Sequence, residues 1–212
     1  MGRHLKTIIF ASGNAGKMKE VREILSDTQV NIYSMREAGL EADPEEIGTT
    51  FAENALIKAR AVAARIPESG LDPEETIVLA DDSGLEIDAL GGEPGIYSAR
   101  YMGKDTSYRV KNAELIRRLE GVPKEKRTAR FVCEIAAVLP DGTELTERGT
   151  IEGKIGYEER GENGFGYDPI FYLPDMSRTT AELPPEKKNA ISHRGAALRA
   201  IKAELKRRGI LS

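Results

Sequence analysis

The stretch VLADDSGLEID, residues 78–88, sets the hardest condition on any fold this chain adopts. An apolar run over 76–80 has the length of a buried strand, and it leads directly into Asp81 and Asp82. Two adjacent carboxylates repel each other and are costly to hold beside an apolar wall unless each finds a partner. The pattern predicts a strand over 76–80 that delivers both acids at its end. Neighbouring residues on extended chain point to opposite faces. One acid can therefore enter a cleft while the other braces the loop or meets a basic partner. A turn explains one acid before Ser83-Gly84; two argue for a site, and strand-end carboxylates suit Mg²⁺, which is usually held by one or two of them plus waters and substrate phosphates.

The rest of the chain sorts around that strand. KTIIFAS, residues 6–12, reads as a buried strand, followed by a helix from AGKMKEVREIL with Met18, Val21, Ile24 and Leu25 at helical spacing. Residues 31–35 suit a second strand. A helix is predicted over 51–65, with Phe51, Ala55, Ala59, Val62 and Ile66 on one face and Thr50 as N-cap, Glu53 three residues on. Another is predicted over 107–119, with Val110, Ala113, Ile116 and Leu119 facing inward. Strands over 129–139 and 144–149, joined by Pro140-Asp141-Gly142, read as an antiparallel hairpin whose second strand extends over 151–157. A strand over 169–173 and a helix capped by Ser192 and running to Arg207 complete the pattern. Strands alternate with helices and a hairpin follows, which predicts an α/β fold with a mixed sheet, in one domain over 1–212.

Three further segments carry chemistry. Ser12, Gly13, Asn14, Ala15, Gly16 and Lys17 lie between a strand and a helix start, where glycines, outward amides and a lysine make a phosphate cradle; a plain Asn-Gly turn is the competing reading. Phe165, Gly166, Tyr167 and Asp168 follow a glycine-rich run, so the Phe165 ring either stacks on a flat ligand or folds back into the core. Lys188, His193 and Arg194 gather positive charge about a helix N-terminus, which calls for an anionic or acceptor-rich ligand. Glu53 serves either as half of a capping box, worth ~1 kcal/mol, or as a metal carboxylate.

Composition narrows the partner. The formal charge of −4 argues against a nucleic-acid polymer. The single cysteine, Cys133, lies in the apolar run FVCEIAAVL and reads as a buried thiol. The first ten residues lack the apolar length of a signal peptide and no run approaches a membrane span, so a cytoplasmic setting is expected.

Taken in order, SGNAGK, TFAENALIKAR, LADDSGLEIDALGGEPGIYSARY, GFGYDPIF and KNAISHRGAAL resemble the motifs of the non-canonical purine nucleoside triphosphate pyrophosphatases, the inosine triphosphate/dITP/XTP family. The resemblance covers about residues 7–205. It implies a long mixed sheet flanked by helices, two lobes with a central substrate cleft, and a homodimer. It implies Mg²⁺-dependent hydrolysis of ITP, dITP or XTP between the α and β phosphates, giving a nucleoside monophosphate and pyrophosphate. Residue by residue, it assigns the 12–17 loop to the triphosphate, Glu53 and Asp82 to the metal, and Asp82 to proton acceptance. Ser83, Lys188, His193 and Arg194 become substrate contacts, and Phe165, Gly166, Tyr167 and Asp168 enclose the base. Tyr97 and Arg100 are read as shaping the loop after the acids, with a substrate contact as the alternative. A nucleotide sensor without hydrolysis and a pyrophosphatase for modified pyrimidine triphosphates are the alternatives.

Overall fold

The structure, a computed structural model, describes residues 6–211; residues 1–5 of the stretch weighed as a signal peptide fall outside them. The elements run β1 (Lys6–Phe10), α1 (Ala15–Ile24), β2 (Val30–Ser34), α2 (Phe51–Ala63), β3 (Thr76–Ile87), α3 (Tyr108–Arg118), β4 (Thr128–Val138), β5 (Glu144–Ile155), β6 (Phe171–Leu173), β7 (Arg178–Thr179), α4 (Pro185–Ile191) and α5 (His193–Arg207). The strands form one mixed sheet in the order β2-β1-β3-β4-β5-β6-β7. β1 is parallel to β2 and β3, while β6 is antiparallel to β5 and β7. The amide of Leu139 donates to the Thr143 carbonyl at 2.9 Å, and that of Ile155 to the Arg127 carbonyl at 2.9 Å. These bonds at opposite ends make β4 and β5 the expected antiparallel hairpin.

The chain forms two compact units. Among the described residues, the first comprises those up to 82, 133–149 and those from 194 on, the second 83–132 and 150–193. In the first unit the period of two along a strand distributes side chains to two cores. Ile8, Phe10, Ile77, Leu79, Cys133 and Ile135 pack with Met18 and Val21 of α1 and Leu198 and Ile201 of α5. Ile9, Val78, Ala80 and Ala136 pack with Ala55, Ala59 and Val62 of α2. The second unit has its own core, built from Leu85, Ile87, Leu115, Phe131, Ile170 and Phe171 among others.

Three elements differ from the sequence reading. β3 does not stop at Ala80 but continues through both acids to Ile87, because their carboxylates find cationic partners and can stay in the strand. On α3 the inward residues are Lys111, Asn112 and Leu115, with Leu119 just beyond; Val110 and Ala113 are exposed. The polar pair earns its burial: Lys111 Nζ donates to the Ala99 carbonyl at 2.8 Å, and Asn112 Nδ2 to Glu159 at 2.7 Å. The final helix is preceded by a short one, α4, ending one residue before Ser192.

Arg127 shows how the second unit is tied together. It is almost fully buried, and its guanidinium donates to the carbonyls of Leu119, Ile155 and Gly156 at 2.7–2.9 Å. The end of α3 and the end of β5 are thereby joined through one side chain. Arg127→Met keeps the apolar stem and removes these donors. It is expected to lower unfolding free energy by about 2–4 kcal/mol, read from urea titration of the full chain; an unchanged midpoint would show the carbonyls are satisfied without it.

Candidate active site

In the first unit the loop between β1 and α1 is organised by Asn14. Its side chain accepts from the Lys17 amide at 3.1 Å, capping α1, and its own amide donates to Ser12 Oγ at 3.2 Å. Gly13 and its neighbours to Gly16 are left exposed, with no atom within 4 Å of where a Gly13 side chain would begin. Lys17 sits in the first turn of α1 and its ammonium contacts both oxygens of Asp81, at 2.9 and 2.8 Å.

Asp81 and Asp82 take opposite sides of β3, as the pleat requires. Besides Lys17, Asp81 receives Arg194 Nε at 3.2 Å, and Arg194 NH1 also meets Glu20 at 3.1 Å. Burial alone would raise the pKa of Asp81, but Lys17 and Arg194 reverse that and hold it far below the usual carboxylate range. Asp82 lies in a different field. One oxygen accepts from Lys58 of α2 at 3.0 Å; the other, Oδ2, is buried with no hydrogen-bond partner. Burial raises its pKa, and the attraction of Lys58 only partly offsets this. The Lys58 ammonium is shared, since Glu46 Oε1 approaches it to 3.3 Å. Burial disfavours the lysine charge, yet Asp82, Asp81 and Glu46 together raise its pKa. A recess of about 250 Å³ opens here, lined by Ser12, Gly13, Lys17, Glu46, Lys58 and Asp81 among others.

Glu53 is not brought to this cluster of charges. Its Oε2 accepts from the Thr49 amide at 2.6 Å, Thr49 Oγ1 at 2.9 Å and the Thr50 amide at 3.2 Å, and Thr50 returns the capping-box bond. These bonds lower its pKa and commit the carboxylate to the helix start, so the capping reading is the one the local geometry follows. Lys58 and Glu46 were absent from the sequence-derived set. The signal for Lys58 was its i,i+4 spacing from Asn54 beside the apolar stripe Ala55, Ala59, Val62. The signal for Glu46 was weaker: an acid two residues before a glycine in a segment without periodicity.

The second unit holds the remaining residues. Asp168 is buried and binds on three sides: Thr180 Oγ1 at 2.8 Å, the Phe165 amide at 2.8 Å and Lys188 Nζ at 2.5 Å. The Phe165 ring is 58% exposed, so it does not fold back into the core, and the Lys188 ammonium stands 4.9 Å from its centroid. Tyr167 differs: its ring is buried edge-on to Tyr108, and its hydroxyl donates to the Ser98 carbonyl at 2.6 Å, so its side chain fastens the loop from beneath. His193 stacks on Phe131 with centroids 5.0 Å apart. Ser83 is the first residue of this unit. Arg194, expected beside His193 as a substrate donor, is instead buried in the first unit on Asp81 and Glu20, because the buried carboxylate requires a second cation. Arg100 lies over the exposed Tyr97 ring at 5.0 Å.

The family model described as the Ham1 family matches residues 8–204. A dITP/XTP pyrophosphatase from Exiguobacterium sibiricum is 46% identical over 198 residues, 93% of this chain and 96% of that protein. One from Desulforamulus reducens is 48% identical over 192 residues, 91% of this chain and 92% of its own. Among solved structures, the Staphylococcus aureus Ham1 protein superposes with a TM-score of 0.84 at 41% identity, covering 96% of this chain and all of that one. These features define an α/β protein with a paired-acid, lysine-rich site. The chain belongs to the Ham1 family.

The 164–168 loop yields a sharp expectation. Gly164 has φ +79°, and a Cβ there would fall 2.3 Å from Asp168 Oδ2 and 3.0 Å from Lys188 Nζ. Gly164→Ala should break the Asp168–Lys188 clasp and lower thermal stability, with faster protease cleavage in 160–168. A variant with unaltered melting and cleavage would show that the loop adapts freely.

Proposed function

We propose that this protein hydrolyses the triphosphates of deaminated purines, ITP, dITP and XTP, to the nucleoside monophosphate and pyrophosphate, with Mg²⁺. The observation that carries the reading is Asp82: a buried carboxylate with one oxygen unpartnered and the other on Lys58, which itself lines the recess with Ser12, Gly13, Lys17 and Glu46. The family relationship supports it, since relatives nearly half identical in sequence carry the name dITP/XTP pyrophosphatase.

The residues suit a divalent cation. A buried acceptor with no donor is a ligand position in waiting, and Glu46 brings a second carboxylate onto the same ammonium. Among the described residues no group of three or more His, Cys, Asp or Glu side chains comes together as a metal site. A pair of carboxylates fits Mg²⁺, which keeps waters and takes phosphate oxygens. We therefore assign the metal to Asp82 and Glu46 in place of Glu53. When bound, the cation would offset the charge of the phosphates.

Asp82 is the proton acceptor for the attacking water. The water oxygen bonds to the α phosphorus as the α–β bridging bond breaks, and the bridging oxygen leaves with pyrophosphate. Lys17 and the exposed backbone of Gly13, Ala15 and Gly16 face phosphate, and Lys58 holds Asp82 in orientation. In the second unit the accessible face of Phe165 suits a flat ring. His193 remains a donor for the base, and Lys188 takes the role first given to Arg194. Such donors match the O6 acceptor of inosine and xanthine and are left unpaired by the N6 amine of adenine. On the family relationship we also infer a homodimer in the cytoplasm; no described helix is long and apolar enough to cross a membrane.

The decisive assay incubates the protein with Mg²⁺ and dITP, XTP or ATP and identifies the products. Monophosphate plus pyrophosphate from dITP and XTP, with much lower kcat/KM for ATP, is the expected result. Nucleotide binding without turnover would indicate a sensor. Asp82→Asn should retain binding and lose 10²-fold or more in kcat. Glu46→Gln should raise the Mg²⁺ concentration needed for half-maximal rate by 10-fold or more. Glu53→Ala should instead lower stability by ~1 kcal/mol with the Mg²⁺ requirement little changed. The reverse pattern would restore Glu53 to the metal.

A further inference from the structure

Residues 41–48 run between the turn after β2 and the start of α2 without regular secondary structure. Exposure alternates along them: Ala42, Pro44, Glu46 and Gly48 are half-buried, while Glu41, Asp43, Glu45 and Ile47 are exposed. An extended strap laid on the unit has this signature. Two contacts tie it to α2. One is the Glu46–Lys58 ion pair; in the other the Gly48 amide donates to Asn54 Oδ1 at 2.9 Å.

Asn54 is fully buried, and it stands on the same face of α2 as Lys58, one turn earlier. Its acceptor role toward Gly48 fixes the orientation of its amide, so the other atom, Nδ2, is a donor, and this donor is buried without a partner. Burying an unsatisfied amide donor costs about 1–3 kcal/mol. Leucine or alanine at this position would cap nothing but would avoid that cost. The contact with Gly48 is also close by necessity: a Cβ on Gly48 would lie 2.7 Å from Asn54 Oδ1 and 2.7 Å from Glu53 Cβ. The glycine and the asparagine therefore act as one device. Gly48 lets the strap approach the helix, and Asn54 holds it by the backbone two residues beyond Glu46.

We propose that Asn54 is a positioning residue for the reaction: through Gly48 it latches the 41–48 strap so that Glu46 is presented to Lys58 and Asp82 as a metal carboxylate. This rests on the assignment of Glu46 given above. Asn54 touches neither phosphate nor water in this role. Its effect passes through the strap, so its loss should appear in the affinity for the cation before it appears in nucleotide binding. A partner that orients a ligand in this way typically contributes 10- to 100-fold to metal affinity.

The test compares full-length Asn54→Ala, Gly48→Ala and Glu46→Gln by two measurements. Amide hydrogen exchange over 41–50 reports the latch without metal or substrate, and Mn²⁺ titration followed by electron paramagnetic resonance reports cation affinity without turnover. Asn54→Ala and Gly48→Ala are each expected to accelerate exchange in the strap and weaken Mn²⁺ binding by about 10-fold or more, with KM for the nucleotide at saturating metal changed less. Combining Asn54→Ala with Glu46→Gln should weaken Mn²⁺ no further than Glu46→Gln alone. Unchanged exchange in both single variants, or faster exchange with unchanged Mn²⁺ affinity, would overturn the proposal. Gly48→Ala keeps it falsifiable if Asn54→Ala fails to fold. If Glu46→Gln binds Mn²⁺ as the parent does, the Glu46 assignment falls and the role of Asn54 in metal binding falls with it. The exchange data would then still decide whether the latch exists.

Discussion

Asp81 is a carboxylate in the middle of a strand with essentially no exposure, and the first unit is arranged around keeping it charged. An isolated ionised carboxylate in such a place is untenable. Lys17 comes to it from the first turn of α1 and Arg194 from the first turn of α5, while Glu20 occupies the other side of the guanidinium. Two helices distant in sequence are thereby fixed to β3 at one point. Removing one member of such a buried set typically costs 3–5 kcal/mol, because the remaining charge is left uncompensated. The glycine-containing loop is held by the same device, since Lys17 closes it and its amide donates to the capping Asn14 side chain.

That arrangement also explains why the two acids behave differently. With Lys17 and Arg194 committed to one face of β3, Asp82 on the other face has Lys58 alone, shared with Glu46. Asp81 is driven far down in pKa and Asp82 upward, although the two are adjacent. A group that must exchange protons gains from an environment in which ionisation is less favoured; a group that must anchor gains from the opposite. The pleat of one strand separates an anchored carboxylate from one with a raised pKa over a single residue step.

Much of this was legible in the sequence, and the limits are physical. The strands of the parallel core, the hairpin at Pro140-Asp141-Gly142 and the Thr50–Glu53 box follow from local pattern, because short-range periodicity and caps determine them, while the five motifs were legible through their resemblance to a known family. The inward face of α3 does not, since Lys111 and Asn112 become buried only when the Ala99 and Gly166 carbonyls and Glu159 are there to receive them. Periodicity in apolar residues selected Val110 and Ala113 instead, which face outward. Arg194 looked like a ligand donor for a similar reason: its partner is 113 residues away in the chain. Glu46 was hidden because the strap has no repeat, whereas Glu53 stood out because a carboxylate at a helix N-terminus satisfies two different patterns at once.

Among the described residues three buried side-chain atoms lack a hydrogen-bond partner: Asn54 Nδ2, Asp82 Oδ2 and Asn112 Oδ1. Elsewhere the fold satisfies even difficult groups, Arg127 with three carbonyls and Asp168 with three donors. Against that background an unpartnered buried atom marks a place where a further donor or acceptor is called for. Two of the three belong to the first unit, on β3 and on the α2 face that carries Lys58. One is an acceptor on the carboxylate with the raised pKa; the other is a donor on the residue that holds the strap. A fold able to neutralise a fully buried aspartate with two cations could have closed both gaps with a single additional hydrogen bond. That it leaves the Asp82 acceptor open fits a partner that would arrive with the ligand, and places the energetic cost of that unfinished contact where binding can recover it.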